Sequence, residues 1–138
     1  IYIAWSVTNR SPLIRIPVTR GEGTRVELRC PDSAANPYLT LAVCLQAGLD
    51  GIRNQIEPPA AVTENVFEMR LSQKNKLGIE ELPADLGEAL AEFEKDEYLQ
   101  NVLGRHATEK YIEAKKSEWA DYRAQVSDWE INNYLYKI

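Results

Sequence analysis

Cysteine, histidine, methionine and phenylalanine are scarce: two, one, one and two among 138 residues. Two cysteines cannot make the disulfide framework of a small secreted domain. Cys30 and Cys44 also lack CxxC spacing and a histidine cluster, so both read as small core residues in a reducing compartment. The lone His106 has no second ligand or nucleophile beside it and reads as a surface or capping residue. No stretch approaches the ~20 apolar residues that cross a bilayer. The first residues lack the charged start and cleavage site of a signal peptide. No membrane role is expected, and the cytoplasm is the default location. Also absent are internal repeats and the GxGxxG, GxxxxGK[ST], HExxH and GxSxG patterns, so no complete catalytic motif is present.

The remaining composition is 44% hydrophobic and 27% charged, with three Trp and seven Tyr. That suits one globular domain, which at this length buries roughly two-thirds of its unfolded surface. The net charge of −5 argues against non-specific nucleic-acid binding but hides an asymmetry. Residues 1 to 30 carry Arg10, Arg15, Arg20, Arg25 and Arg29 against Glu22 and Glu27, a balance of +3. The other 108 residues carry 11 basic and 19 acidic groups, a balance of −8. The basic charge of the first segment is all Arg, the side chain suited to two-pronged contact with phosphate or carboxylate. An anion site is therefore expected there. Ile1 to Trp5 reads as a strand from the first residue, with no initiator Met before it. The expectation is a piece of a longer polypeptide carrying part of a site.

Thr8 to Pro12 predicts a turn, Leu13 to Pro17 a short strand, and Arg20 to Thr24, with Gly21 and Gly23, a flexible connection. Arg25 to Cys30 alternates charged and apolar residues, which in a strand places Arg25, Glu27 and Arg29 on one face. This pattern has two readings. One is an antiparallel strand with a solvated face. The other is a row in which Glu27 takes a hard divalent cation and the guanidinium groups take anionic oxygens.

Asn36 before Pro37 predicts a capped helix start. The helix over Tyr38 to Ile52 is apolar nearly all round and is expected to be buried on several sides. Residues 57 to 83 read as a connection, with a short strand over Val66 to Met69 and a polar surface loop over Ser72 to Ile79. Helices are predicted from Asp85 through about Lys95, over Asp96 to Leu103, and from Gly104 to about Val126. Ile112, Trp119, Tyr122, Val126 and Trp129 form an aromatic stripe. The apolar end, Ile131 to Ile138, is expected to dock in cis or on another subunit. Strands first and helices after predict an α+β fold, with short antiparallel strands that would join a larger sheet.

Several of these segments together resemble the C-terminal catalytic region of bacterial type I glutamine synthetase. They are Asn9-Arg10-Ser11 with Ile14-Arg15-Ile16-Pro17, Arg25-Val26-Glu27-Leu28-Arg29, Pro31-Asp32, Ala35 to Leu39 and Ala47 to Ile52. The likeness continues in order through Leu82-Pro83, Glu113-Ala114-Lys115, Glu118-Trp119 and Asp128-Trp129-Glu130, so it spans essentially residues 1–138. It implies an ATP-dependent ligase that makes glutamine from glutamate and ammonia through a γ-glutamyl phosphate, with Mg2+ or Mn2+. In such chemistry the protein chiefly positions groups and neutralises phosphoryl charge.

By the same resemblance Glu27 is the metal carboxylate. Arg10, Arg15 and Arg25 contact nucleotide phosphates and the transferring phosphoryl group, and Arg29 lies near glutamate and that phosphoryl group, with Arg10 and Arg29 catalytic. Asn36 and Asp50 are expected to cap and support. The full chain is implied to form a homo-oligomer, a dodecamer of two hexameric rings, with the C-terminal tail as a strap. The family's flap glutamate, its other metal carboxylates and its metal-binding histidine belong to segments that this sequence does not contain, so the chain alone is expected to be inactive. Some members carry a loop whose Tyr is adenylylated; Lys74 to Pro83 contains no Tyr, and no control of that type is expected. Two other readings stand beside this one: a paralogue acting on another amine or amino acid, and a non-catalytic assembly module.

Overall fold

A computed structural model describes every residue except Tyr136 and Ile138. The chain divides into two units, Ile1–Ala84 and Asp85–Ile138. Strands fall in the first unit and helical hairpins in the second, so the α+β class holds.

The first unit carries a four-stranded mixed sheet of β1 (Tyr2–Ser6), β2 (Pro12–Arg15), β3 (Glu27–Leu28) and β4 (Glu80–Glu81), in the spatial order β3-β2-β1-β4. β2–β3 and β1–β4 are antiparallel, but the central β1–β2 pair is parallel. The expectation of antiparallel strands throughout is corrected at that pair. Parallel neighbours ordinarily need a crossover of a dozen or more residues, whereas only residues 7 to 11 link these two. Five extended residues reach roughly 18 Å, enough to return along a strand that short. A register irregularity between Tyr2 and Trp5 then fixes which β1 residue lies beside each β2 residue.

The sheet packs on a small apolar cluster. Val62, Val66 and Met69 are buried, with Tyr2, Ala4 and Ile79 against them. The backbone N–H of Val62 donates to the Trp5 carbonyl (2.8 Å), and the Trp5 indole N–H donates to the Pro59 carbonyl (2.6 Å). Val66 to Met69, expected as a strand, is a turn closed by Glu68 N–H to the Asn65 carbonyl (3.0 Å). The expected surface loop is largely a helix, α2 (Leu71–Lys76), ending at Gly78 with φ +62°. Its Lys74 is buried: Nζ donates to the Tyr2 hydroxyl (2.6 Å) and lies 3.8 Å from the ring centroid, a cation on an aromatic face.

Helix α1 (Pro37–Arg53) starts as predicted. Asn36 Oδ1 accepts from the backbone N–H groups of Tyr38 (3.0 Å) and Leu39 (3.3 Å), with Pro37 in the first turn. Just beyond its C-cap, Asn54, lies Gln55, a non-glycine residue at φ +51°. The expectation that α1 is buried on several sides is not met, because none of its residues is buried. Tyr38 and Ile52 are 83% and 74% exposed. Its apolar surface has no covering element in the described chain.

In the second unit, α3 (Leu86–Lys95) and α4 (Glu97–Leu103) are capped by Asp85 and Asp96, whose carboxylates accept from the N–H groups of Glu88 and Leu99 (both 2.9 Å). They pack with α5 (Arg105–Arg123) around Leu90 and an edge-to-face Phe93–Tyr111 pair at 5.7 Å. α5 stops at Arg123, short of the expected Val126, so of the aromatic stripe only Ile112, Trp119 and Tyr122 lie on it, and the stripe is only partly covered. Trp119 is half-buried and stacks on Tyr122 at 5.6 Å, whereas Tyr122, Val126 and Trp129 are exposed. A short α6 (Asp128–Glu130) continues into a π-helical turn, Ile131–Leu135. Tyr134 and Leu135 are exposed, and Tyr136 and Ile138 of the expected docking tail lie outside the described residues.

Candidate functional site

The charged alternation becomes geometry at the β2–β3 pairing. Arg15 lies directly opposite Glu27, and Ile14 opposite Leu28. Arg15 Nη1 donates to both Glu27 oxygens, Oε1 at 3.2 Å and Oε2 at 3.0 Å. Arg25, two residues before Glu27, donates Nε (3.0 Å) and Nη2 (2.7 Å) to Oε1. One carboxylate is thus gripped by two guanidinium groups on one face. These hydrogen bonds, Arg15's first and Arg25's second, hold the Glu27 carboxyl below the ordinary carboxylate range. Charge-assisted bonds to a planar fork have this effect.

Local structure aims Arg25. The connection expected to be flexible folds into a 3-10 turn, Gly21–Gly23, closed by Thr24 N–H to the Gly21 carbonyl (3.1 Å). Gly21 sits at φ +69°, a conformation that favours glycine. The Gly23 carbonyl accepts from Arg25 Nη1 (3.1 Å). Arg20, by contrast, is turned onto its own strand end, donating to the carbonyls of Pro17 (2.6 Å) and Thr19 (3.1 Å).

Not every predicted arginine converges on this cluster. Arg10 occupies the β1–β2 connection, exposed, and Arg29 follows β3, exposed, its backbone N–H bonded to the Leu13 carbonyl (2.9 Å). Neither guanidinium has a hydrogen-bond or ion-pair partner among the described residues. Within the cluster, Arg15 Nε is shielded from solvent and has no acceptor. An unmet donor of that kind costs ~1–3 kcal/mol.

A hard oxygen ligand suits Mg2+ or Mn2+, and Glu27 supplies one. Among the described residues no group of three or more potential metal ligands exists. Asn36 and Asp50 have the supporting roles expected of them: Asn36 caps α1, and Asp50 accepts from the Asn54 side-chain amide (2.8 Å) near the end of α1. His106 is exposed on the first turn of α5. Cys30 and Cys44 are half-buried, and burial pushes the Cys30 thiol up, away from nucleophilic use.

The sequence places Asn9 and Ser11 in a turn and in the segment of resemblance but assigns them no role of their own. Ser6 is 1% exposed, and its Oγ accepts from the Asn9 N–H (3.1 Å). Asn9 Oδ1 accepts from the Ser11 N–H (2.9 Å), its amide donates to the Glu64 carbonyl, and Ser11 Oγ accepts from the Val66 N–H (3.0 Å). The signal in the sequence was the Asn and Ser pair flanking one Arg, since such side chains build turns through their own backbone.

Comparison with known proteins is unambiguous about family. A family model described as glutamine synthetase, catalytic domain, matches residues 1–134. A glutamine synthetase from Clostridium saccharobutylicum is 51% identical over 137 residues, covering 99% of this chain and 31% of the relative. One from Thermotoga maritima is 49% identical over 136 residues, covering 99% and 31%. A solved structure of a GmaS/ADP complex superposes with TM-score 0.82 at 37% identity, over 96% of this chain and 29% of that one. The chain therefore spans about 30% of the length of the curated relatives it matches.

Proposed function

The chain belongs to the glutamine synthetase catalytic-domain family, and from that premise we propose that it supplies part of the phosphate, metal and substrate sites of an ATP-dependent ligase joining ammonia to glutamate. The observation that carries this reading is the Arg15–Glu27–Arg25 cluster with two unpaired arginines in flanking segments. A phosphoryl group moving from ATP to a carboxylate carries charge on several oxygens at once. Fixed guanidinium groups neutralise it with little reorganisation.

In this reading Arg10, Arg15 and Arg25 bind the nucleotide phosphates, and Arg10 also meets the transferring phosphoryl group. Arg29 binds glutamate beside it. Glu27 holds a divalent cation, and the cation, when bound, screens phosphate charge and orients the transferring group. Bound phosphates offer the Arg15 and Arg25 guanidinium groups acceptors other than Glu27 and leave the carboxylate free for the metal. The ADP of the similar GmaS/ADP complex supports nucleotide use here. The names of the curated relatives support glutamine as the product.

The exposed Tyr122, Val126, Trp129, Tyr134 and Leu135 support contact with another copy in a homo-oligomer. A cytoplasmic location is part of the same proposal; no helix among the described residues is long and apolar enough to cross a membrane.

The test is kinetic. In a full-length synthetase carrying this sequence, Glu27→Ala and Arg29→Ala each lower glutamine synthesis by orders of magnitude, and the 138-residue chain alone shows none. Near-normal turnover in either variant overturns the site assignment.

A further inference from the structure

Arg10 is the one proposed phosphate ligand whose placement owes nothing to Glu27. It lies in a five-residue connection, and exposed connections are ordinarily mobile. A long cation on a mobile loop would lose affinity to the entropy of ordering it.

The connection is instead tied at three points. Its start is fixed to β1 by the Asn9 N–H on the buried Ser6 Oγ (3.1 Å). Asn9 bridges outward and inward at once: its amide donates to the Glu64 carbonyl, while its Oδ1 accepts from Ser11 N–H (2.9 Å) and closes an Asx turn around Arg10. The far end is fixed by Ser11 Oγ, which accepts from the N–H of Val66, a fully buried residue of the apolar cluster. All these bonds end on the residues on either side of Arg10 or on the segment beneath. The Asn9 and Ser11 side chains on either side are half-buried and held by these bonds, while Arg10 between them is exposed.

We infer that Asn9 and Ser11 are positioning residues for the phosphate-binding Arg10, anchoring its loop to the 64 to 66 segment so that the guanidinium is held ready for the nucleotide. This rests on Arg10 binding phosphate, as proposed above. Neither residue touches the ligand; each acts through Arg10. Misplacing a binding group by about 1 Å costs up to ~100-fold in rate, so loosening this loop is expected to register in kcat/KM for ATP.

The test is a double-mutant cycle in the full-length synthetase. Asn9→Ser keeps a short acceptor for the turn but has nothing to reach Glu64. It is expected to lower kcat/KM for ATP about ten-fold or more, mostly through KM, while leaving the unfolding midpoint near that of the parent. In an Arg10→Ala background the same change is expected to cost less than about two-fold, because residues acting through one group are non-additive. Ser11→Thr retains the hydroxyl and is expected to keep parental kcat/KM, whereas Ser11→Ala strands the Val66 N–H and lowers it. If Ser11→Ala fails to fold, Asn9→Ser and Ser11→Thr still decide the matter. Equal losses from Asn9→Ser in both backgrounds, or no loss in the parent, overturn the positioning role while leaving Arg10 as a ligand. Near-normal activity of Arg10→Ala alone overturns the phosphate reading, and this inference with it.

Discussion

Gly87→Ala is expected to destabilise the helical unit even though alanine is the better helix former. A Cβ at position 87 would lie 2.5 Å from Trp119 Nε1, 2.8 Å from Trp119 Cε2 and 3.2 Å from Asp85 Oδ1. Favourable carbon contacts begin near 3.5 Å, so the overlap approaches 1 Å against an indole ring that cannot bend. Trp119 must shift, and it is stacked on Tyr122 at 5.6 Å. Overpacking of this kind costs ~1–3 kcal/mol, against a gain of at most ~1 kcal/mol in helix propensity, for a net loss of up to about 2 kcal/mol. That corresponds to a shift of up to roughly 30-fold in the local opening equilibrium. Amide hydrogen exchange across α3 in the full-length synthetase reads it directly, as faster exchange in the variant. Trp119→Leu removes the obstacle, so in that background Gly87→Ala is expected to slow exchange instead. Slower exchange from Gly87→Ala alone, or equal acceleration in both backgrounds, would refute the steric account.

Two further outcomes follow from the site unit. Because Arg15 and Arg25 depress the Glu27 pKa, this carboxylate contributes stability at pH above its unfolded value, and that contribution is lost as pH falls through the lower folded value. Carboxyl 13C shifts of labelled ligand-free protein should show Glu27 ionised below the usual glutamate range near ~4.3; titration at or above that range contradicts the pairing. At the end of α1, Gln55 holds φ +51°, which costs a non-glycine residue roughly 1–2 kcal/mol. After the added freedom of the unfolded chain, Gln55→Gly is expected to stabilise the last turn by about 0.5–1 kcal/mol. Slower exchange of the Ile56 amide, bonded to the Gly51 carbonyl at 2.9 Å, checks it; faster exchange contradicts it.

Local chemistry was readable in advance. Asn36-Pro37 announced the start of α1 because capping involves only neighbouring residues, and Asp85 and Asp96 act likewise. The alternation of Arg25, Glu27 and Arg29 suggested a strand over Arg25 to Cys30, of which only Glu27–Leu28 forms; Arg25 reaches Glu27 from just before β3, Arg29 does not, and the β2 register supplied Arg15 as the partner. What was not readable depends on distant surfaces. The parallel β1–β2 pair contradicts the usual inference from a short connection, and only the register shows it. Helix α2 lacks an apolar stripe, since its buried position is Lys74, so hydrophobic periodicity could not reveal it. The apolarity of α1 expressed a burial that the described chain does not provide, as expected when the chain spans about 30% of its relatives.

Lys74 has one more consequence. It is the one buried lysine among the described residues, and its amine is occupied by the Tyr2 hydroxyl and ring. Acylating reagents that modify exposed Lys76 or Lys95 at once can reach Lys74 only when α2 lifts from β1. The ratio of labelling at neighbouring Lys74 and Lys76 therefore reports how often that helix opens, with no engineered probe and no dependence on catalysis.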